Sequence, residues 1–259
     1  MKRTIHNHES FVIGVAMTLF MSAAPSYAGG ELDKYRNHNP TQAHELHRDN
    51  NHGPYVLPLG SKPFGQSYGE WAADFARWAY SIPYDQNPAL NPALSNCTTP
   101  QHGKVWFIAT GAESASCEIP KQKAIFVQLG AYVDTYPCPD PAFKPSPGQT
   151  LKEFLITDAK YYVDTLYPTY VGQLYHELAI DGKLVVDNGQ EQRLNTKLFR
   201  LTGDLSIQAV DSCVTGTKQW AVADGYWALV DGLTPGIHKI EFLQKGLVTS
   251  TIRLTVNNH

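Results

Sequence analysis

The sequence predicts an α+β protein, a mainly antiparallel β-sandwich with one or two helices packed against it. Three observations carry that prediction. From Leu174 onward apolar residues recur at every second position in short runs separated by Gly and Pro turns, the pattern of half-buried strands. Nearer the start, two stretches behind an S/T-x-x-E opening follow helical spacing, the pattern of capped amphipathic helices. The strands cluster rather than alternate with helices, which argues against a run of βαβ units.

Residues 1–28 are expected to be a signal peptide. Lys2 and Arg3 precede the apolar run from Phe11 to Ala24, and Ser26-Tyr27-Ala28 places small residues at the −3 and −1 positions of a cleavage site. The run falls short of the ~20 apolar residues that span a bilayer, and no later segment is apolar enough to serve as an anchor. Residues 29–64 are read as a flexible polar lead-in, since Gly29 to Gly53 has no hydrophobic period. The lead-in carries His38, His44, His47 and His52. These could trap a transition metal, but nothing preorganises them, so a solvated His-rich tail is expected and neither metal nor cofactor is implied.

Residues 65–259 are read as a single globular domain. "GQSYGEWAADFARWAYSIP", from Gly65, opens with the G-x-S-x-G pattern of a hydrolase nucleophile elbow, which needs a preceding sheet strand. Pro58 and Pro63 argue against that strand. The stretch instead predicts a helix in which Ser67 and Glu70 form a reciprocal cap and Trp71, Phe75 and Trp78 make one apolar stripe flanked by alanines. A proline-rich connection follows. "KVWFIAT" (Lys104 to Thr110) and "KAIFVQL" (Lys123 to Leu129) predict two buried strands, Tyr136 to Gly148 an irregular linker, and Thr150 a second helix start. Asp181-Gly182 predicts a tight hairpin turn, and further strands are expected at Leu205–Val210, Trp220–Val230, Ile237–Leu243 and Thr249–Val256.

Cys97, Cys117, Cys138 and Cys213 all follow the expected cleavage site, where oxidising conditions favour two disulfides. Three pairings are open. Cys97–Cys117 with Cys138–Cys213 is favoured because the first closes a short loop, and a loop of about 20 residues contributes roughly 3 kcal/mol in the chain-entropy model.

Candidate chemistry is sparse. "HELAID" at His176 lacks the second histidine of a zinc-protease helix and alternates like a strand. Glu70 and His102 would make a general acid/base pair if they met. The plainer reading makes His102 a loop residue and its neighbour Gln101 a partner for turn backbone. Asp134, Asp158, Asp164 and Asp181 are read as turn and solvated-face carboxylates. Trp220, Tyr226 and Trp227 lie on a strand whose exposed face could present rings to a ligand. Asn96-Cys97-Thr98 satisfies a glycosylation sequon hindered by a neighbouring disulfide. A net charge of −3 without a basic stripe argues against nucleic acid as partner.

The segments "SYGEWAADFARWAYSIP", "GKVWFIATG", "IPKQKAIFVQLG" and "DGYWALVDGLTPGIHKIEF" resemble a family of uncharacterised secreted bacterial proteins. The resemblance implies export from a bacterium and an immunoglobulin-like character for the β-rich C-terminal half, with no activity to transfer. The expected function is a secreted or periplasmic, non-enzymatic protein that binds an extracellular glycan or protein. The alternative is an extracellular hydrolase of esters or glycans using carboxylate and His groups.

Overall fold

A computed structural model describes residues 53–166, 177–244 and 246–258. The expected signal peptide and the His-rich segment lie outside the described residues. The elements in chain order are β1 (Tyr55–Val56), α1 (Tyr68–Ser81), β2 (Val105–Ile108), β3 (Ser114–Ile119), β4 (Ala124–Tyr136), α2 (Leu151–Tyr161), β5 (Glu177–Ile180) and β6 (Lys183–Val186). Then come β7 (Arg193–Asn195), β8 (Phe199–Thr202), β9 (Lys218–Asp231), β10 (Gly236–Gln244) and β11 (Leu247–Val256).

Two sheets form. One runs β1-β9-β4-β2, with β7 and β8 also paired to β9; the other runs β3-β11-β10-β5-β6. Two pairs are parallel, β2 with β4 and β3 with β11, and the remaining pairs are antiparallel. The α+β class and the sandwich-like arrangement therefore hold, and the pairing is mainly antiparallel, but both sheets are mixed rather than the purely antiparallel sheets of an immunoglobulin-like sandwich. Strand periodicity reports which face is buried and carries no information on the direction of the partner.

The first sheet is covered on both faces. One face packs on α1, where Phe75, Ala72, Ala76 and Ala79 meet Phe107, Phe126, Trp227 and Leu229. The other packs on the second sheet and α2, where Leu129, Ala228 and Val230 meet Leu155, Ile180, Phe242 and Leu254. From Ala124 to Thr135 every residue of β4 except Gln128 is consequently buried, as is every residue of β9 from Ala221 to Val230. Phe75 lies at the centre of the α1 interface, its ring 5.3 Å from Trp227 and 5.6 Å from Phe107. Burial of such a ring contributes about 1.5–3 kcal/mol.

Both predicted helix starts form as capping boxes. The Ser67 hydroxyl accepts from the Glu70 amide while the Glu70 carboxylate accepts from the Ser67 amide at 2.7 Å, and Thr150 and Glu153 repeat the arrangement. The Asn87 side chain closes the far end of α1. Its amide donates to the Ala79 and Ile82 carbonyls at 2.7 and 3.1 Å, and its oxygen accepts from the Ala89 and Leu90 amides at 3.0 and 3.2 Å. After α2 the chain widens into a π-helical turn, Tyr162–Leu166.

The Asp181-Gly182 hairpin turn is present, with both residues at positive φ as a type I′ turn requires. Both favoured disulfides form: Cys97–Cys117 spans 20 residues and Cys138–Cys213 spans 75. They fit an oxidising compartment. Among the described residues no helix is long and apolar enough to cross a membrane.

Three expectations on local structure are corrected. The lead-in does not extend through residue 64, because Tyr55 and Val56 pair with Asp231 and Val230 of β9. Leu205–Ala209 is a 3-10 helix rather than a strand, started by the Asp204 carboxylate accepting from the Ser206 amide. β3, β7 and β8 were not expected; in "SASCEI" the inward side chains Ala115 and Cys117 are too small to make alternation conspicuous.

Candidate functional site

Glu70 and His102 are not brought together as an acid/base pair. The Glu70 carboxyl is held by the hydroxyl and amide of Ser67, which pull its pKa below the ordinary carboxylate range. His102 is exposed in the loop before β2. Its neighbour Gln101 proves to be the structural residue. The Gln101 oxygen accepts from the Phe107 amide at 2.8 Å and its amide donates to the Phe107 carbonyl at 2.9 Å, so one side chain occupies a ladder position on the outer edge of β2.

The three candidate binding rings do not form an exposed platform, and that expectation is corrected. Trp227 is 1% exposed and stacked on Phe126 at 5.4 Å. Tyr226 is 3% exposed, its hydroxyl donating to Gln190 at 3.2 Å and its ring lying 5.6 Å from the Arg193 guanidinium. Trp220 is half-buried beneath the Arg200 guanidinium, 3.5 Å from the ring centre. A binding platform needs one solvated face on this strand, whereas α1 and the second sheet cover both. Of "HELAID", His176 lies outside the described residues; Glu177–Ile180 is strand β5 rather than helix.

A polar cleft lies instead at the distal half of β4. β2 pairs with β4 only as far as Val127, and beyond it the linker after β4 and the loop before β9, tied to each other by Cys138–Cys213, contribute walls of the cleft. The cleft is lined by Tyr132, Val133, Asp134, Thr135, Phe143, Tyr162, Asp211 and Cys213. It spans about 240 Å³ including its open mouth, and its enclosed part admits a group the size of one water molecule.

Each wall has a local cause. Tyr132, Asp134 and Tyr136 alternate onto the face of β4 that looks toward α2, which brings Asp134 beneath the last turn of that helix. The π-helical turn carries Tyr162 onto Tyr132, their rings parallel within 7° and 4.1 Å apart. Phe143 arrives from the linker and packs on Phe154 of α2 at 4.7 Å. Asp211 is anchored on both oxygens, accepting from the Cys213 amide at 3.0 Å and from the Tyr80 hydroxyl at 3.0 Å.

Asp134 stands apart from these satisfied groups. It is 3% exposed, and among the described residues its Oδ2 has no hydrogen-bond partner. Burial first, then the nearby carboxylates Asp158 and Asp211, push its pKa well above the ordinary value, with the Ala159 backbone acting in the opposite sense. Asp134 is therefore held as the neutral acid over conditions where an exposed aspartate is ionised. Burial, then Asp211, likewise raise the Tyr80 phenol, which stays a donor to Asp211. The reading of Asp134 as a solvated-face carboxylate is corrected. The usable signal was its position two residues from Tyr132 and from Tyr136, on an apolar face of the strand.

Among the described residues no basic side chain lines the cleft, and no group of three or more His, Cys, Asp or Glu could hold a metal ion. Chemically the cleft offers one open buried carboxyl, a second anchored carboxylate and aromatic walls. Comparison with protein-family models, with curated proteins and with solved structures finds no match for this chain, so the cleft is interpreted from its own chemistry.

Proposed function

We propose that this chain is a secreted or periplasmic binding protein without catalytic activity of its own, which takes an extracellular glycan or protein partner at the cleft around Asp134. One observation carries the reading. A carboxyl oxygen that is buried and has no partner among the described residues lies in an aromatic-walled cleft, where a native structure ordinarily satisfies such a group. A bound donor would satisfy it. The two disulfides support export, and the rigid sheet behind the cleft supports a preorganised site.

Titration of the purified chain against cell-wall glycans and exported proteins, with Asp134→Asn and Tyr162→Ala as probes of the cleft, tests the reading. Binding weakened by both substitutions is the expected result. Turnover of an ester or glycan without any binding partner overturns it.

The rival reading, an extracellular hydrolase, draws on the same cleft, because two carboxyl groups in different surroundings are the arrangement of a general acid and base. Two features weigh against it. Both oxygens of Asp211 are already engaged, and the enclosed space holds only a water-sized group, so a sugar ring can lie across the open mouth but not inside.

A further inference from the structure

We infer that the cleft at Asp134 is a socket for an unbranched primary ammonium group, the kind carried by a lysine side chain of a partner protein or by a short diamine. The inference rests on the binding-protein reading and narrows its ligand. Four observations converge. The unpaired acceptor is a buried carboxyl oxygen, Asp134 Oδ2, without a partner among the described residues, and a second carboxylate, Asp211, also lines the cleft. The enclosed space is the size of one water molecule, and a terminal –NH3+ has nearly that size. The remaining walls, Tyr132, Tyr162 and Phe143, are rings whose faces attract a cation and whose edges accept a methylene stem. Among the described residues no basic side chain lines the cleft to compete for the acids. A pyranose amine presents a ring at once behind its nitrogen and does not fit the water-sized enclosed space.

Binding exchanges one cation for another. Asp134 begins as the neutral acid, so seating an ammonium on Oδ2 converts R–NH3+ and Asp134–COOH into an R–NH3+···−OOC–Asp134 pair and releases one proton to solvent. The groups that act on this step are Asp158 from α2, Asp211 and its donor Tyr80 from α1, and the phenols of Tyr132 and Tyr162. Both acids favour the incoming cation. Affinity therefore rises with pH until Asp134 ionises unaided, and falls again only when the amine loses its own proton, near pH 10.4 for a lysine-type amine.

The test is calorimetric titration of the disulfide-intact chain with n-butylamine, 1,5-diaminopentane and a Gly-Lys-Gly peptide, with n-butanol and glucosamine as controls. Two buffers of different ionisation enthalpy report the protons released. The expected result is one shared site for the three amines, about one proton released per amine at mildly acidic pH, and affinity at least about twentyfold weaker in Asp134→Asn. The diamine binding without the peptide would assign a free diamine; the peptide binding as well would assign a lysine of a partner. Absence of amine binding, equal binding of n-butanol or glucosamine, or an unchanged Asp134→Asn variant overturns the ammonium assignment. The proton count uses the unmutated chain, so it decides the matter even if the variant misfolds. If amines fail while a glycan or protein still binds at the cleft, only this inference falls; if nothing binds there, the binding-protein reading falls with it.

Discussion

The ion pair between Arg193 and Asp224 should be destabilised unequally by removal of one partner or the other. Arg193 donates to both oxygens of Asp224, Nε at 3.2 Å and Nη2 at 2.7 Å, and also pairs with Asp164. The Asp224 side chain is 0% exposed while that of Arg193 is 23% exposed. Arg193→Met leaves a fully buried carboxylate with no cation, the costly case, at about 3–5 kcal/mol. Asp224→Asn leaves a guanidinium that reaches solvent and still pairs with Asp164, so the loss is that of charge-assisted hydrogen bonds, about 1.5–3 kcal/mol. In a domain of this size each kcal/mol moves the melting temperature by about 2–4 °C, so Arg193→Met should melt at least about 6 °C below the parent. Thermal and urea unfolding of the oxidised protein at neutral pH measures both values. An Asp224→Asn loss equal to or larger than that of Arg193→Met refutes the reasoning, because it would mean that the aspartate is not the partner that burial leaves stranded.

Three further outcomes are expected. Asp134 has a raised pKa in the folded state, so the stability it contributes is fully present below its unfolded value of about 3.9 and is lost as pH rises through the folded value. Asp134→Asn should therefore flatten the decline of stability with rising pH and equal or exceed the parent in alkaline solution; melting curves across pH that stay parallel for the two proteins would contradict this. Gly225→Ala should be severely destabilising, because the added Cβ would lie 2.2 Å from Ala131 Cβ and 2.4 Å from its Cα, which a side-chain rotation cannot relieve; a variant melting within about 2 °C of the parent, less than 1 kcal/mol, would refute the close approach of the two strands. Ser67→Ala should cost about 0.5–2 kcal/mol through loss of the α1 cap, with no change in any binding or turnover, and a specific loss of turnover would restore the elbow reading.

Local chemistry was legible in the sequence wherever a short motif has one physical solution. The two S/T-x-x-E boxes, the Asp181-Gly182 turn and the short disulfide loop each satisfy backbone or loop-closure demands within a few residues of themselves. What stayed hidden depends on distant partners. Nothing in "KAIFVQL" or in "YWALV" announces that α1 lies on one side and a second sheet on the other, so Trp227 and Tyr226 looked half-exposed. The direction of β2 against β4 is equally silent, since a parallel pair needs a crossover whose route is set elsewhere in the chain. Asp134 was hidden for a different reason. Its side of the strand was readable, but the helix that shuts out solvent and the loop that brings a second acid come from residues 150–161 and 204–213.

Gln101 has a consequence for the protein's life among its neighbours. A short strand at the margin of a sheet is a template on which a foreign backbone can lay itself, and that is how exported proteins at high local concentration come to clump. Here the intruder would have to evict an amide already matched to both polar groups of Phe107, forfeiting two good contacts before gaining any of its own. A single side chain thus occupies the Phe107 position of that border without the charge or proline that other folds use as a fence.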